Sequence, residues 1–200
     1  MSIVKTEAEL DAIYGGVSEA SLVKEIDFLS EGYQAFVTHS PFAILSTVGP
    51  EGTDASPRGD KPGFVHIASP RELLMPDRRG NNRIDSLRNI VRDPRCSLMF
   101  MVPGNANVLR VNGLAEIDVD PELCARFDID GKSPRSVVRL RIEKAYFQCA
   151  RAIMRADLWG DHDAPHLPTP GQLMKEITNG SFDGATYDRE WPARAKTSLW

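Results

Sequence analysis

Residues 42–60 read FAILSTVGPEGTDASPRGD. Phe42 to Val48 is an apolar run of strand length. Gly49 to Gly52 (GPEG) is a turn between extended segments. Thr53 to Asp60 then returns as a second strand, although its prolines make interior pairing awkward. The hairpin predicts an antiparallel sheet. It also sets the charged SPRGD beside a buried strand, which asks what those polar residues are for.

Upstream, residues 1–40 read as a helical lead-in. Leu22, Val23, Ile26 and Leu29 fall at helical spacing and predict a helix over Glu19–Leu29, before His39 to Pro41 breaks the pattern. Downstream, Gly63 to Ala68 and Glu72 to Met75 are further short strands. Ile84, Leu87, Ile90 and Val91 share one face of a helix expected over 82–91, which RDPR ends. Cys96 to Val102 is a near-continuous apolar strand, and Asn107 to Ile117 alternates, with Gly113 marking a bulge. Asp120 caps a short helix to Phe127, with Pro121 at its first position. Val137 to Ala145 alternates, Tyr146 to Leu158 reads as a helix, residues 160–171 as a loop, and Gly171 opens one or two C-terminal helices. Strands joined by short loops, with helices between and after them, predict a mainly β (α+β) fold. The expected form is an antiparallel barrel decorated by helices. The chain reads as one domain over 1–200, with 160–200 a helical tail. The run 96–102 is apolar on both faces, which a single small barrel covers poorly and a paired barrel covers well.

Composition narrows the function. Two hundred residues, 42% of them hydrophobic, can bury one sizeable core. A formal net charge of −4 gives no electrostatic case for nucleic acid. No apolar run approaches the roughly 20 residues of a membrane helix, so no membrane partner is expected. The start, MSIVKTEAEL, lacks the apolar core of a signal peptide. Cys96, Cys124 and Cys149 form no C-x-x-C motif and suggest no disulfide framework. The expected setting is the reducing cytoplasm.

A second polar cluster, PDRRGNNR (Pro76 to Arg83), precedes the expected helix. A helix start offers unpaired N–H groups and a positive dipole end. Guanidinium groups grip phosphate oxygens at two points. Gly80 allows close approach, and Asn81 or Asn82 can cap the helix. These parts make a phosphate cradle; the competing reading is a solvated loop with a capping asparagine, and residue types alone leave both open. There is no Walker loop, no G-x-G-x-x-G after a strand and no G-x-S-x-G elbow. Asp161, His162, Asp163 and His166 share one loop, but proline-rich loops carry such residues in solvent, and no metal is expected. His39 and His66 read as structural. Trp159, Trp191 and Trp200 read as packing anchors, with Trp200 at a terminus that could fold over a ligand.

In order, FAILSTVGPEGTDASPRGDKPGFVHI, LLMPDRRGNNRIDSLRNIVRDPR, LMFMVPG and LRVNGLAEI resemble the pyridoxamine 5'-phosphate oxidase-like, FMN-binding split-barrel family. EKAYFQCARAIMRADLW is similar to a bacterial branch regarded as FMN-dependent oxidoreductases. The resemblance spans about Ser40 to Trp159. It implies a six-stranded split barrel, a homodimer, and FMN in a groove at the dimer interface. It implies flavin-side roles for Ser56, Arg58, Gly59 and Asp60, and phosphate-side roles for Arg79, Asn82 and Arg83. It implies that Arg110 approaches the flavin from the partner subunit. The substrate implied is a small molecule, with a nicotinamide as candidate electron donor; no catalytic acid or base is named. The sequence departs from the true oxidases, with Ile84 after Arg83 in place of a lysine and no pyridoxal-recognition pattern in YDREWPARAKTSLW. Vitamin B6 oxidation is therefore not the expected activity. A non-catalytic flavin protein, or a barrel using F420 or haem, are the alternatives.

Overall fold

The computed structural model describes residues 3–163 and 166–198; Trp200 lies outside them. The 42–60 hairpin forms as its turn dictates. Strand β1 (Phe42–Gly49) pairs antiparallel with β2 (Gly52–Gly59), from Phe42↔Gly59 to Gly49↔Gly52. β1 sends Ala43, Leu45 and Thr47 into the core. β2 buries nothing fully, and Asp54, Ser56 and Arg58 occupy its half-covered face. Among the described residues it pairs only with β1, and an edge strand tolerates Pro57.

Strands β3 (His66–Ser69), β4 (Glu72–Pro76), β5 (Arg95–Met101), β6 (Val108–Asp118) and β7 (Val137–Gln148) complete one antiparallel sheet in the order β2-β1-β5-β6-β7-β4-β3. The strands number seven, not six, and among the described residues β2 and β3 end the sheet without pairing to each other. The barrel is thus split. Gly113 sits at a register shift opposite β7, and a Cβ there would overlap the Arg141 carbonyl oxygen. The bulge expected at this glycine is present. β5 keeps apolar residues on both faces, with Met99 and Met101 on the less covered one. Cys96, Leu98 and Phe100 are buried, while Ser97, Met99 and Met101 are half-buried.

The helices are α1 (Glu7–Tyr14), α2 (Glu19–Leu22), α3 (Glu31–His39), α4 (Asp85–Arg92), α5 (Pro121–Ala125), α6 (Arg151–Ala156), α7 (Pro170–Ile177) and α8 (Gly184–Ser198). α5 has the expected cap, with Asp120 Oδ1 accepting from the Glu122 N–H at 2.9 Å. Three expectations fail, two through tertiary contacts and one through local backbone geometry. The helix over 19–29 stops at Leu22 because Ile26 exchanges backbone hydrogen bonds with Ala145 and the Leu29 N–H donates to the Pro70 carbonyl, burying Leu29. The helix over 146–158 shrinks to α6 because β7 runs on to Gln148, paired with Val108. The helix over 82–91 starts at Asp85, since Asn82 and Ile84 adopt positive φ of 60° and 51°.

The core lies on one side of the sheet, under α3 and α4. Leu98, Phe100, Leu109, Val111 and Leu140 pack there with Val37 of α3 and Ile90 of α4. α4 thereby carries the preceding turn alongside β2. The C-terminal pair crosses closely at Gly171 and Gly184, where a Cβ on either would overlap the other's backbone. Asp188 of α8 fixes the crossing by accepting from the Gly171 N–H at 2.8 Å.

Candidate functional site

The half-covered face of β2 and the β4–α4 turn bound one cleft of about 950 Å³. β2 contributes Asp54, Ser56 and Arg58, displayed together by the period of two. The turn contributes Asp77 through Asp85, and α4 adds Ser86 and Leu87. Pro134 and Arg135 arrive from the loop before β7, and Trp191 and Ala195 from α8.

The turn departs from the expected cradle in its details. Gly80 has neither a positive φ nor a neighbour that would exclude a side chain. The left-handed positions are Asn82 and Ile84, and a β-branched residue there is strained by about 1–3 kcal/mol. Ile84 stands at the N-cap of α4 and makes no side-chain cap, so no asparagine side chain caps the first N–H groups of the helix. Asn81 instead folds the turn, its Oδ1 accepting from the Arg83 N–H at 3.1 Å. Arg83 Nε donates to Asp85 at 2.9 Å, with both side chains largely exposed.

Two polar networks line the cleft. In the first, Ser86 Oγ donates to Asp54 Oδ2 at 2.6 Å, Ser56 Oγ donates to the same oxygen at 3.1 Å, and the two hydroxyl oxygens lie 3.0 Å apart. Each hydroxyl has one proton, so once both protons point at Asp54 the serines face a ligand as acceptors. In the second, Arg58 donates to Asp77 Oδ1 at 3.2 Å. Burial holds the Asp77 carboxyl above its ordinary pKa, opposed by Arg58 and Arg135. The Nε of Arg58 is buried with no hydrogen-bond partner.

Of the residues singled out from sequence, Ser56, Arg58, Arg79, Asn82 and Arg83 meet in this cleft. Gly59 and Asp60 lie just past them and do not line it. Asp60 accepts from Arg78 Nε at 3.0 Å, and Arg78 also donates to the Phe127 carbonyl at 2.7 Å, which anchors the turn from behind. Arg110 stands elsewhere, on the outer face of β6, donating to the Tyr146 hydroxyl at 3.0 Å. Sequence reasoning missed Asp54, Asp77, Ser86 and Arg135. Asp54 had a signal, two positions before Ser56 on a strand; Arg135, in an irregular loop, had none. Trp191, read as a packing anchor, borders the cleft with half its surface exposed.

The sequence model of the pyridoxamine 5'-phosphate oxidase family matches residues 29–149, which hold the whole sheet. The chain belongs to that family. Among curated proteins none matches the sequence. A HupZ variant from Group A Streptococcus is similar in structure, with a TM-score of 0.50 and 13% identity over 60% of this chain and 99% of its own. A proposed pyridoxamine 5'-phosphate oxidase from Lactobacillus delbrueckii gives 0.49 and 22% over 60% and 95%. An F420 reductase gives 0.42 and 23% over 60% and 98%. At such identities the likeness speaks to the fold alone. Family membership covers β2, the turn and Arg135, but stops well before α8.

Proposed function

We propose that the chain binds FMN in the β2–α4 cleft and acts as an FMN-dependent oxidoreductase on a small molecule. The observation that carries this reading is the buried, unpartnered Nε of Arg58 on the cleft wall. A buried donor left unmade costs about 1–3 kcal/mol, which a ligand acceptor recovers. Charge supports the same ligand. Five arginines (Arg58, Arg78, Arg79, Arg83, Arg135) and three aspartates (Asp54, Asp77, Asp85) line the cleft. Arg78 is paired with Asp60 just outside the cleft, and the positive surplus that remains suits a phosphomonoester, which carries about −1.5 to −2 at neutral pH.

Arg79, Asn82 and Arg83, with the first N–H groups of α4, would hold the phosphate. Ser56 and Arg58 would line the ring, while Gly59 ends the strand and Asp60 positions the turn through Arg78. The chemistry FMN supplies when bound is hydride transfer at N5. Arg58 would stabilise negative charge at the N1/O2 edge of the ring. A nicotinamide is the candidate donor. No helix among the described residues is long and apolar enough to cross a membrane, and the proposed setting is the cytoplasm. The working form on this reading is a homodimer in which Arg110 of one protomer reaches the cleft of its partner. Half-buried Met99 lies opposite Arg110, and Arg110 opposite Tyr146, which gives that face apolar and cationic groups for a second copy.

The test is direct. Ligand released from purified protein is weighed, and stripped protein is titrated with FMN, riboflavin and F420. FMN is expected in the released fraction, with affinity for it about tenfold or more above that for riboflavin. Released F420 or haem, or equal affinity for FMN and riboflavin, overturns the reading.

A further inference from the structure

The family match ends at residue 149, yet the cleft is finished by Trp191 and Ala195 of α8. α8 packs chiefly on α7, so the pair is a distinct addition to the sheet. The geometry within the pair is specified by its sequence. The Gly171–Gly184 crossing admits no side chain, Thr169 and Gln172 form a capping box at the start of α7, and Asp188 ties the two helices together. Trp191 follows Asp188 by one turn, and Pro192 interrupts the helical ladder beside it.

The indole is flanked by two side chains and remains half exposed. Tyr187, one turn earlier, stacks on it with ring centroids 6.2 Å apart and planes 12° from parallel. Arg194 lies 4.7 Å from the Tyr187 ring and 5.8 Å from that of Trp191. Even so, 50% of Trp191 remains exposed where it borders the cleft. Tryptophan gives up little conformational entropy on binding and presents a large flat apolar face. The cleft also has space for a second molecule. Its volume of about 950 Å³ is at the upper end for small-molecule sites, which run from roughly 300 to 1,000 Å³. The phosphate of the proposed cofactor balances the surplus arginines, so charge recruits no further anion.

We propose that Trp191 is the specificity-determining residue of the cleft and stacks a flat, uncharged ring compound, the substrate class of this protein. The inference deepens the FMN reading and rests on it for the second occupant. Selection is by shape: a planar ring lies flat against the exposed part of the indole, and a globular molecule of the same size does not.

The experiment measures binding of two ten-carbon probes by equilibrium dialysis, with FMN-loaded and with stripped protein. 1,4-Naphthoquinone is flat; camphor is globular. Wild type should prefer naphthoquinone, Trp191→Ala should bind it about tenfold more weakly, and Trp191→Phe should retain most of the affinity. FMN titration of all three proteins separates the two claims. If wild type binds no FMN, the flavin reading falls, while naphthoquinone binding to stripped protein still measures the indole. Equal naphthoquinone affinity in wild type and Trp191→Ala overturns the proposal, as does wild type binding both probes alike. A tenfold loss of FMN affinity in Trp191→Ala also overturns it, because the indole would then belong to the cofactor.

Discussion

Replacing Arg83 by alanine tests the phosphate side of the cleft most directly. A hydrogen bond to a charged group contributes about 1.5–3 kcal/mol when desolvated, and an exposed ion pair about 0–1 kcal/mol. The Arg83 side chain is 76% exposed and is shared with Asp85 at 2.9 Å, which places it near the bottom of the first range. An expected loss of about 1.4 kcal/mol is a tenfold rise in the Kd for FMN. Part of that loss comes from Asp85, whose carboxylate then faces the phosphate without its cation. Arg83→Ala with Asp85→Ala should therefore bind FMN more tightly than Arg83→Ala alone. Riboflavin has no phosphate and should change by less than about twofold. Folding should be little affected, since exposed surface substitutions stay within about 0.5 kcal/mol. Quenching of flavin fluorescence on titration reads both ligands. Equal losses for FMN and riboflavin would refute the assignment of Arg83 to the phosphate.

Gly113→Ala should lower stability by about 1–3 kcal/mol or more, because the new Cβ overlaps the Arg141 carbonyl oxygen and lies 3.0 Å from its carbon. Thermal unfolding beside wild type checks this, and an unchanged Tm would deny the bulge its role. Asp77 bears on pH. Its folded pKa is raised by burial, so the folded state keeps its proton to higher pH than the unfolded chain, and its contribution to stability declines as pH rises from about 3.8 through the raised value. The stability difference, Asp77→Asn minus wild type, should accordingly grow in favour of the asparagine from pH 4 to neutrality; a flat difference would mean that Asp77 is not strained by burial. A disulfide-exchange reagent at pH 8 should find one fast thiol, exposed Cys149, and three thiols after denaturation. Buried Cys96, with its pKa pushed up to about 12, should stay silent in the native protein, and a second fast thiol would contradict its burial.

The strands were legible because alternation and turn residues are local signals. Gly49 to Gly52 closes β1 on β2, and the weakness of Pro57 as an interior residue is resolved by its edge position. The helices were legible only where nothing distant competed for the backbone. Ile26 has helical spacing with Leu22 but is claimed by Ala145, and Tyr146 is claimed by Arg110 across the β6–β7 ladder. The two halves of the site were legible as residue types, because arginines beside a strand end and a helix start are informative. Their meeting in one cleft was implied by the family resemblance alone and not by residue types, since it depends on Ile90 packing α4 against the core beside β2. Nor could the sequence reveal that the strained position is Ile84 rather than Gly80. Trp191 packs on Tyr187, in keeping with an anchor, but composition cannot tell that it also borders a cleft.

The free ends of the sheet constrain how copies of this chain can associate. Counting from the closing pair Gly49↔Gly52, Ile44↔Pro57 falls on a non-hydrogen-bonded pair, so the proline nitrogen points away from β1, toward solvent. A strand arriving at that border finds no N–H there to pair with. At the other border β3 is only four residues long, and its register breaks between Ile67 and Ser69. Both borders therefore resist strand-by-strand extension, the route by which open sheets polymerise. The proposed homodimer, formed through the outer face of β5–β7, would pair two copies and stop, whereas growth along the borders would have no natural end.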